Sequence, residues 1–128
     1  MSVARMAIVA GAILGGLSVA GGAFGAHGLK ALLEAGGQTG NWETAFRYSL
    51  VHALALVAVG LLAAIRPATP GLAIAAWCFV VGTAIFSGCL ATLAVTGVKP
   101  LGAIVPIGGV LLIAGWVRLA LSAASLDR

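Results

Sequence analysis

Few side chains in this 128-residue chain have a type suited to acid–base or ligand chemistry: His27, His52, Tyr48, Cys78, Cys89 and three carboxylates. His27 stands in the run Gly25-Ala26-His27-Gly28. Tyr48 and His52 are one helical turn apart and share a face with Thr44, and Thr83 and Ser87 repeat that spacing before Gly88. A metal site needs three or four convergent ligands, and two histidines with two well-separated cysteines and no deeply placed carboxylate do not readily supply them. No nucleophile–base–acid set, phosphate loop or haem motif is present. The expectation is a chain with no catalytic residues, no metal and no cofactor, hence not an enzyme. What remains for these groups is hydrogen bonding. An imidazole or hydroxyl in an apolar stretch either bonds a neighbouring helix or handles a proton or ligand, and both readings stand at this point.

The elements that must position these residues are set by the spacing of charge. Between Arg5 and Lys30 lie 24 uncharged residues; Arg47 to Arg66 encloses 18, Arg66 to Lys99 encloses 32, and Lys99 to Arg118 encloses 18. Each block approaches the ~20 residues a helix needs to cross the ~30 Å hydrocarbon layer. With 62% hydrophobic and 8% charged residues, the chain lacks the polar surface to coat a water-soluble domain, where about 25% of residues are charged. The fold class read from this is an all-α membrane protein, a four-transmembrane-helix bundle forming a single domain.

The first helix is placed at about residues 4–28. Apolar sequence continues past Ser18-Val19-Ala20, the one stretch resembling a cleavage site, so this helix is expected to be retained. A short amphipathic segment, Leu29–Ala35, follows, with Leu29, Leu32 and Leu33 at helical spacing and Lys30 and Glu34 as an i,i+4 pair. Such a segment lies in the membrane interface. Residues 36–41 read as a loop. The remaining helices are placed at 42–65, 72–95 and 101–123, with Trp42 and Tyr48 at interfacial aromatic-belt positions and Asp127-Arg128 as a frayed tail. Pro106 falls inside the fourth helix, where it removes a backbone donor and predicts a bend.

Gly11, Gly15, Ser18, Gly22 and Gly25 follow steps of 4, 3, 4 and 3 on the first helix. Small residues let helix backbones approach, and in lipid that contact supplies association energy. The partner is either a helix of the same chain or a second copy. Gly108 and Gly109 would serve a neighbour in the same way beside Pro106.

The net charge of +4 comes from seven basic residues scattered near helix ends, with no patch that would bind nucleic acid. Four crossings put both termini on one side. That side carries Arg5, Arg66, Arg118 and Arg128 and the other Lys30, Arg47 and Lys99, a slight bias toward cytoplasmic termini. Eleven residues of helix hold Cys78 and Cys89 about 16 Å apart, beyond disulfide reach.

Taken together, Gly22-Ala23-Phe24-Gly25-Ala26-His27-Gly28-Leu29, Tyr48 with His52-Ala53-Leu54-Ala55-Leu56, Ile85-Phe86-Ser87-Gly88, Pro106-Ile107-Gly108-Gly109 and Gly115-Trp116 resemble a known family. It is the small membrane proteins grouped as domain of unknown function family 423, which include bacterial YgdD-like inner-membrane proteins. The likeness covers nearly the whole chain in order. Ser49-Leu50-Val51 departs from it, because more polar residues are expected between Tyr48 and His52, and this weakens a continuous polar relay there. The resemblance implies a four-helix protein of the bacterial inner membrane. It singles out His27, Tyr48, His52, Ser87 and Pro106, which with Thr83 would form one polar seam if the helices pack in sequence.

The function expected is a non-enzymatic structural or accessory component of a membrane complex, with lipids and other membrane proteins, or a second copy of itself as a homo-oligomer, as partners. The alternative is a small channel or transporter, acting as an antiparallel homodimer. A polar cavity holding His27, His52 and Ser87 would favour transport; a dry seam would favour the structural reading.

Overall fold

A computed structural model describes residues 1–128. Helix α1 spans Val3–Ala26. Ser2 caps it, its hydroxyl accepting from the Arg5 N–H at 3.2 Å and satisfying one of the orphan donors of the first turn. Helix α2, Lys30–Ala35, is a six-residue amphipathic turn. It buries Leu33 against Trp42 and Ala94 and leaves Lys30 and Glu34 exposed as an ion pair at 3.9 Å.

Helix α3 runs over Thr39–Ile65, starting three residues before the sequence-based boundary. The turn is shorter than its glycines suggest, because the Gln38 N–H bonds the Leu33 carbonyl at 2.8 Å and Asn41 bonds the Gln38 side chain at 2.8 Å. Helix α4, Leu72–Thr96, lies between Gly71 (φ 84°) and Gly97 (φ 71°), left-handed conformations that glycine adopts without steric penalty. At Gly71 a side chain is excluded twice over, since the Arg118 guanidinium occupies the space a Cβ would fill.

The expected bend at Pro106 is corrected. A 3₁₀ turn, Lys99–Ala103, precedes helix α5, Val105–Ala123, and Pro106 sits in the first turn of α5. Its missing N–H would have had no intrahelical partner there, so proline starts this helix instead of kinking it. Arg66 donates to the Leu126 carbonyl at 2.6 Å, tying the turn that follows α5 to the turn after α3, while Asp127 and Arg128 beyond it are exposed.

Helix α1 packs along α3, α3 on α4 and α4 on α5, while α1 and α5 do not pack along each other. The main core lies between α3, α4 and the inner faces of α1 and α5, around Leu56, Val59, Ala76, Phe79 and Leu112. Outward stand Ile13, Leu17 and Phe24 on α1 and Val110, Ile113 and Leu121 on α5. Such exposure is what hydrocarbon solvates and water does not. Four helices, counting the 3₁₀ turn with α5, are long and apolar enough to cross a membrane, and only helices or closed barrels satisfy every backbone group there.

Glycines from both partners set the close approaches. A Cβ on Gly11 would lie 2.7 Å from the Ala53 carbonyl oxygen, and one on Gly60 would lie 2.9 Å from that of Ala4, so α1 and α3 meet backbone to backbone. Further along, Gly21 receives the Phe46 ring and Gly25 the Trp42 indole. Gly22 is corrected as a packing residue: a Cβ there would meet nothing within 4 Å, and Gly15 makes only one contact, 3.9 Å from Ala53. The buried residues of α1 are Ala7, Gly11, Ser18 and Gly21. At roughly 100° per residue, Gly15 and Gly22 fall on the edge of the arc these define. Between α4 and α5, Gly108 abuts the Phe86 backbone and Gly82 carbonyl, Gly109 touches the Phe86 ring, and Gly115 receives Phe79.

Candidate functional site

The buried polar side chains of the spans other than Thr83 are hydrogen-bonded, most of them to another helix. Ser18 on α1 and Ser49 on α3 are bonded hydroxyl to hydroxyl at 2.8 Å, with Ser18 also 2.7 Å from the Leu14 carbonyl. The Trp42 indole N–H donates to the Gly21 carbonyl at 2.8 Å. Ser87 on α4 donates to the Ala45 carbonyl on α3 at 2.6 Å. At the far end of α5, Ser122 reaches the Pro70 carbonyl at 2.8 Å.

His52 is among them. It is 4% exposed, and its ring stands 5.5 Å from Phe79 and 5.8 Å from Trp116, while Phe79 and Trp116 meet edge to face at 5.0 Å. Its Nδ1 lies 2.7 Å from the Tyr48 carbonyl and its Nε2 lies 3.0 Å from Trp116 Nε1. An indole nitrogen only donates and a carbonyl oxygen only accepts. The ring is therefore neutral, with its proton on Nδ1 and its Nε2 lone pair filled by Trp116. In this arrangement no imidazole nitrogen is left free for a proton, a metal or a ligand.

Most of the sequence is similar to known proteins. The family described as "Protein of unknown function (DUF423)" matches residues 21–109, which include His27, Tyr48, His52, Ser87 and Pro106. The chain belongs to this family. As a DUF423 protein it is similar over nearly its full length to a UPF0382 membrane protein of Staphylococcus haemolyticus, 40% identical over 118 residues covering 92% of this chain and 94% of the relative. It is also similar to one of Staphylococcus saprophyticus, 39% identical over 115 residues, 90% and 93% of the two chains. The UPF0382 membrane protein YwdK of Bacillus subtilis is 38% identical over 119 residues, 93% and 96% of the two chains. No solved structure matches the chain. With relatives named as membrane proteins and four apolar helices of spanning length, this DUF423 protein is an integral membrane protein.

In this DUF423 chain the residues singled out by sequence do not form one seam. His52, Thr83 and Ser87 are buried. Tyr48 is 44% exposed and lies against Phe86, ring centroids 4.8 Å apart. His27 is exposed at the C-cap of α1, and Pro106 is exposed at the start of α5. The Thr83 hydroxyl is buried with no protein partner. Cys78 and Cys89 are free thiols.

Sequence reasoning missed Trp116 as the partner of His52, and Ser49 as that of Ser18. It also placed Trp42 in the aromatic belt, whereas the indole is buried and bonded to α1. One signal was available: an indole N–H inside an apolar span, out of reach of water, needs an acceptor, and His52 is the one imidazole within the spans.

Proposed function

We propose that this DUF423 protein is a non-enzymatic structural or accessory component of a membrane complex, seated in the bacterial cytoplasmic membrane with both termini on the cytoplasmic side. The observation that carries the reading is the saturation of His52, whose two nitrogens are used up by Tyr48 and Trp116. Groups that move protons or ligands need a nitrogen free to exchange; groups that fasten helices do not. Charge supports the orientation only slightly, as four basic residues to three.

Transport through the chain or an antiparallel pair of chains would need polar side chains around an aqueous space. Neither the cavity of about 640 Å³ between α1, α2 and α3 nor the one of about 300 Å³ beside the Arg66–Pro70 turn is lined by His27, His52, Thr83 or Ser87.

The test is extraction of the native protein directly from its membrane into polymer-bounded nanodiscs, followed by mass measurement of the particle. The expected result is a particle holding a second copy or another membrane protein at fixed stoichiometry. A population of lone monomers contradicts the accessory reading.

A further inference from the structure

The larger cavity lies where α1 ends, α2 folds across and α3 begins. Lys30, Glu34 and Glu43 line it near the helix ends, and Arg47 lines it one turn further along α3, beside Phe46, whose ring packs on Gly21. Leu33, Trp42, Phe46 and Leu50 supply its apolar lining, and along α1 it extends to Gly22 and Ser18. From Ala26 to Ser18 the α1 wall descends eight residues, about 12 Å at ~1.5 Å per residue. That carries the cavity from the level of the charged helix ends into the apolar part of the span. Gly22 and Leu50 are exposed, so this part opens sideways.

The lining carries two cations and two anions, for no net charge. Lys30 and Glu34 already pair with each other, in the only ion pair of the chain. Glu43 and Arg47, one turn apart on α3, line the same cavity without such a partner. A guanidinium offers a planar fork that fits a phosphate, and a neighbouring carboxylate accepts from an ammonium. A laterally open groove lined by both charged and apolar side chains suits a molecule with a charged head and a hydrocarbon tail. The volume, about 640 Å³, lies within the roughly 300–1,000 Å³ of small-molecule sites.

We propose that this cavity binds one glycerophospholipid with a zwitterionic aminoalkyl phosphate head, from the leaflet facing α2. Arg47 takes the phosphate, Glu43 takes the primary ammonium, and one acyl chain lies past Phe46 and Leu50 over Gly22. The absence of a side chain at Gly22 then has a use that packing against α3 does not give it, since a Cβ there meets no protein atom within 4 Å. The head is set by charge: a lining with no net charge gives no advantage to an anionic lipid. A quaternary ammonium head has no N–H to give Glu43. The proposal is independent of the accessory reading, because a channel or an accessory subunit could hold the same lipid.

The test is native mass spectrometry of the full chain in dodecyl maltoside, titrated separately with dioleoyl phosphatidylethanolamine, phosphatidylglycerol and phosphatidylcholine. The first phosphatidylethanolamine is expected to bind at least about fivefold more tightly than either competitor. Arg47→Ala is expected to weaken that first binding about tenfold, the loss of one charge-assisted phosphate contact. Gly22→Leu, whose side chain enters the open groove, is expected to abolish it. Gly16→Leu is the control, because Gly16 also faces open space but does not line the cavity, and it is expected to change nothing. Equal binding of the three lipids overturns the assigned head. First binding that survives both Arg47→Ala and Gly22→Leu overturns the site.

Discussion

Trp116 on α5 donates its indole N–H to His52 Nε2 on α3 across 3.0 Å, the one side-chain hydrogen bond that joins these two helices. It reaches past α4, which packs against both. It therefore fixes at once the rotation of α5, the orientation of the imidazole and the tautomer that His52 adopts.

Trp116→Phe keeps a ring against Phe79 and removes the donor. Interhelical hydrogen bonds in membrane proteins contribute about 0.6 kcal/mol on average and up to about 1.7. The expected loss is about 1 kcal/mol in a reversible unfolding titration in mixed micelles followed by circular dichroism. In a double-mutant cycle with His52→Phe the two changes should fall short of additivity by a similar amount. Additive losses would mean the two side chains act separately.

Gly108→Ala places a methyl against the Phe86 backbone and 2.8 Å from the Gly82 carbonyl oxygen. Backbone cannot move aside as a side-chain tip can, so α4 and α5 must separate. A loss of about 1–3 kcal/mol is expected, in the range for overpacking. Gly16→Ala, with open space around it, should be neutral or stabilise by up to about 1 kcal/mol through helix propensity. The same unfolding titration checks both, and equal effects of the two changes would contradict the packing described for α4 and α5.

Thr83→Val and Ser87→Ala should move stability in opposite directions. The Thr83 hydroxyl is buried with no protein partner, so its removal relieves an unsatisfied group and should be neutral or stabilise by about 1 kcal/mol. Ser87 bonds the Ala45 carbonyl on α3, and Ser87→Ala should destabilise by about 1 kcal/mol. Melting temperatures of the purified variants, measured side by side, separate the two.

The spans were legible because charge is excluded from hydrocarbon whatever the tertiary structure, so Arg5, Lys30, Arg47, Arg66, Lys99 and Arg118 mark the blocks on their own. The packing face of α1 was only partly legible. Spacing alone makes Gly22 as good a candidate as Gly11, and the arc that is buried depends on where α3 crosses. Pro106 was misplaced for a related reason: proline has opposite consequences in the first turn and in the interior of a helix, and the boundary between the 3₁₀ turn and α5 leaves no charge in the sequence. The pairing of His52 with Trp116 required knowing that α3 and α5 both lie against α4. Ser49 was overlooked because a single serine in an apolar helix bonds its own backbone as readily as it bonds a neighbour.

The central claim, that the hydrogen-bonded polar side chains buried in the spans fasten helices and do not line a water path, is tested most directly by water access to the buried positions around them. With Cys78→Ala and Cys89→Ala as background, Thr83→Cys and Ser87→Cys are exposed in intact membrane vesicles to a membrane-impermeant thiol reagent, beside Thr69→Cys in the turn before α4. The account predicts rapid labelling of the Thr69→Cys protein from one side of the membrane and none of the other two from either side. Labelling at position 83 or 87 at a rate near that of the turn would reveal an aqueous path through the helices and contradict it.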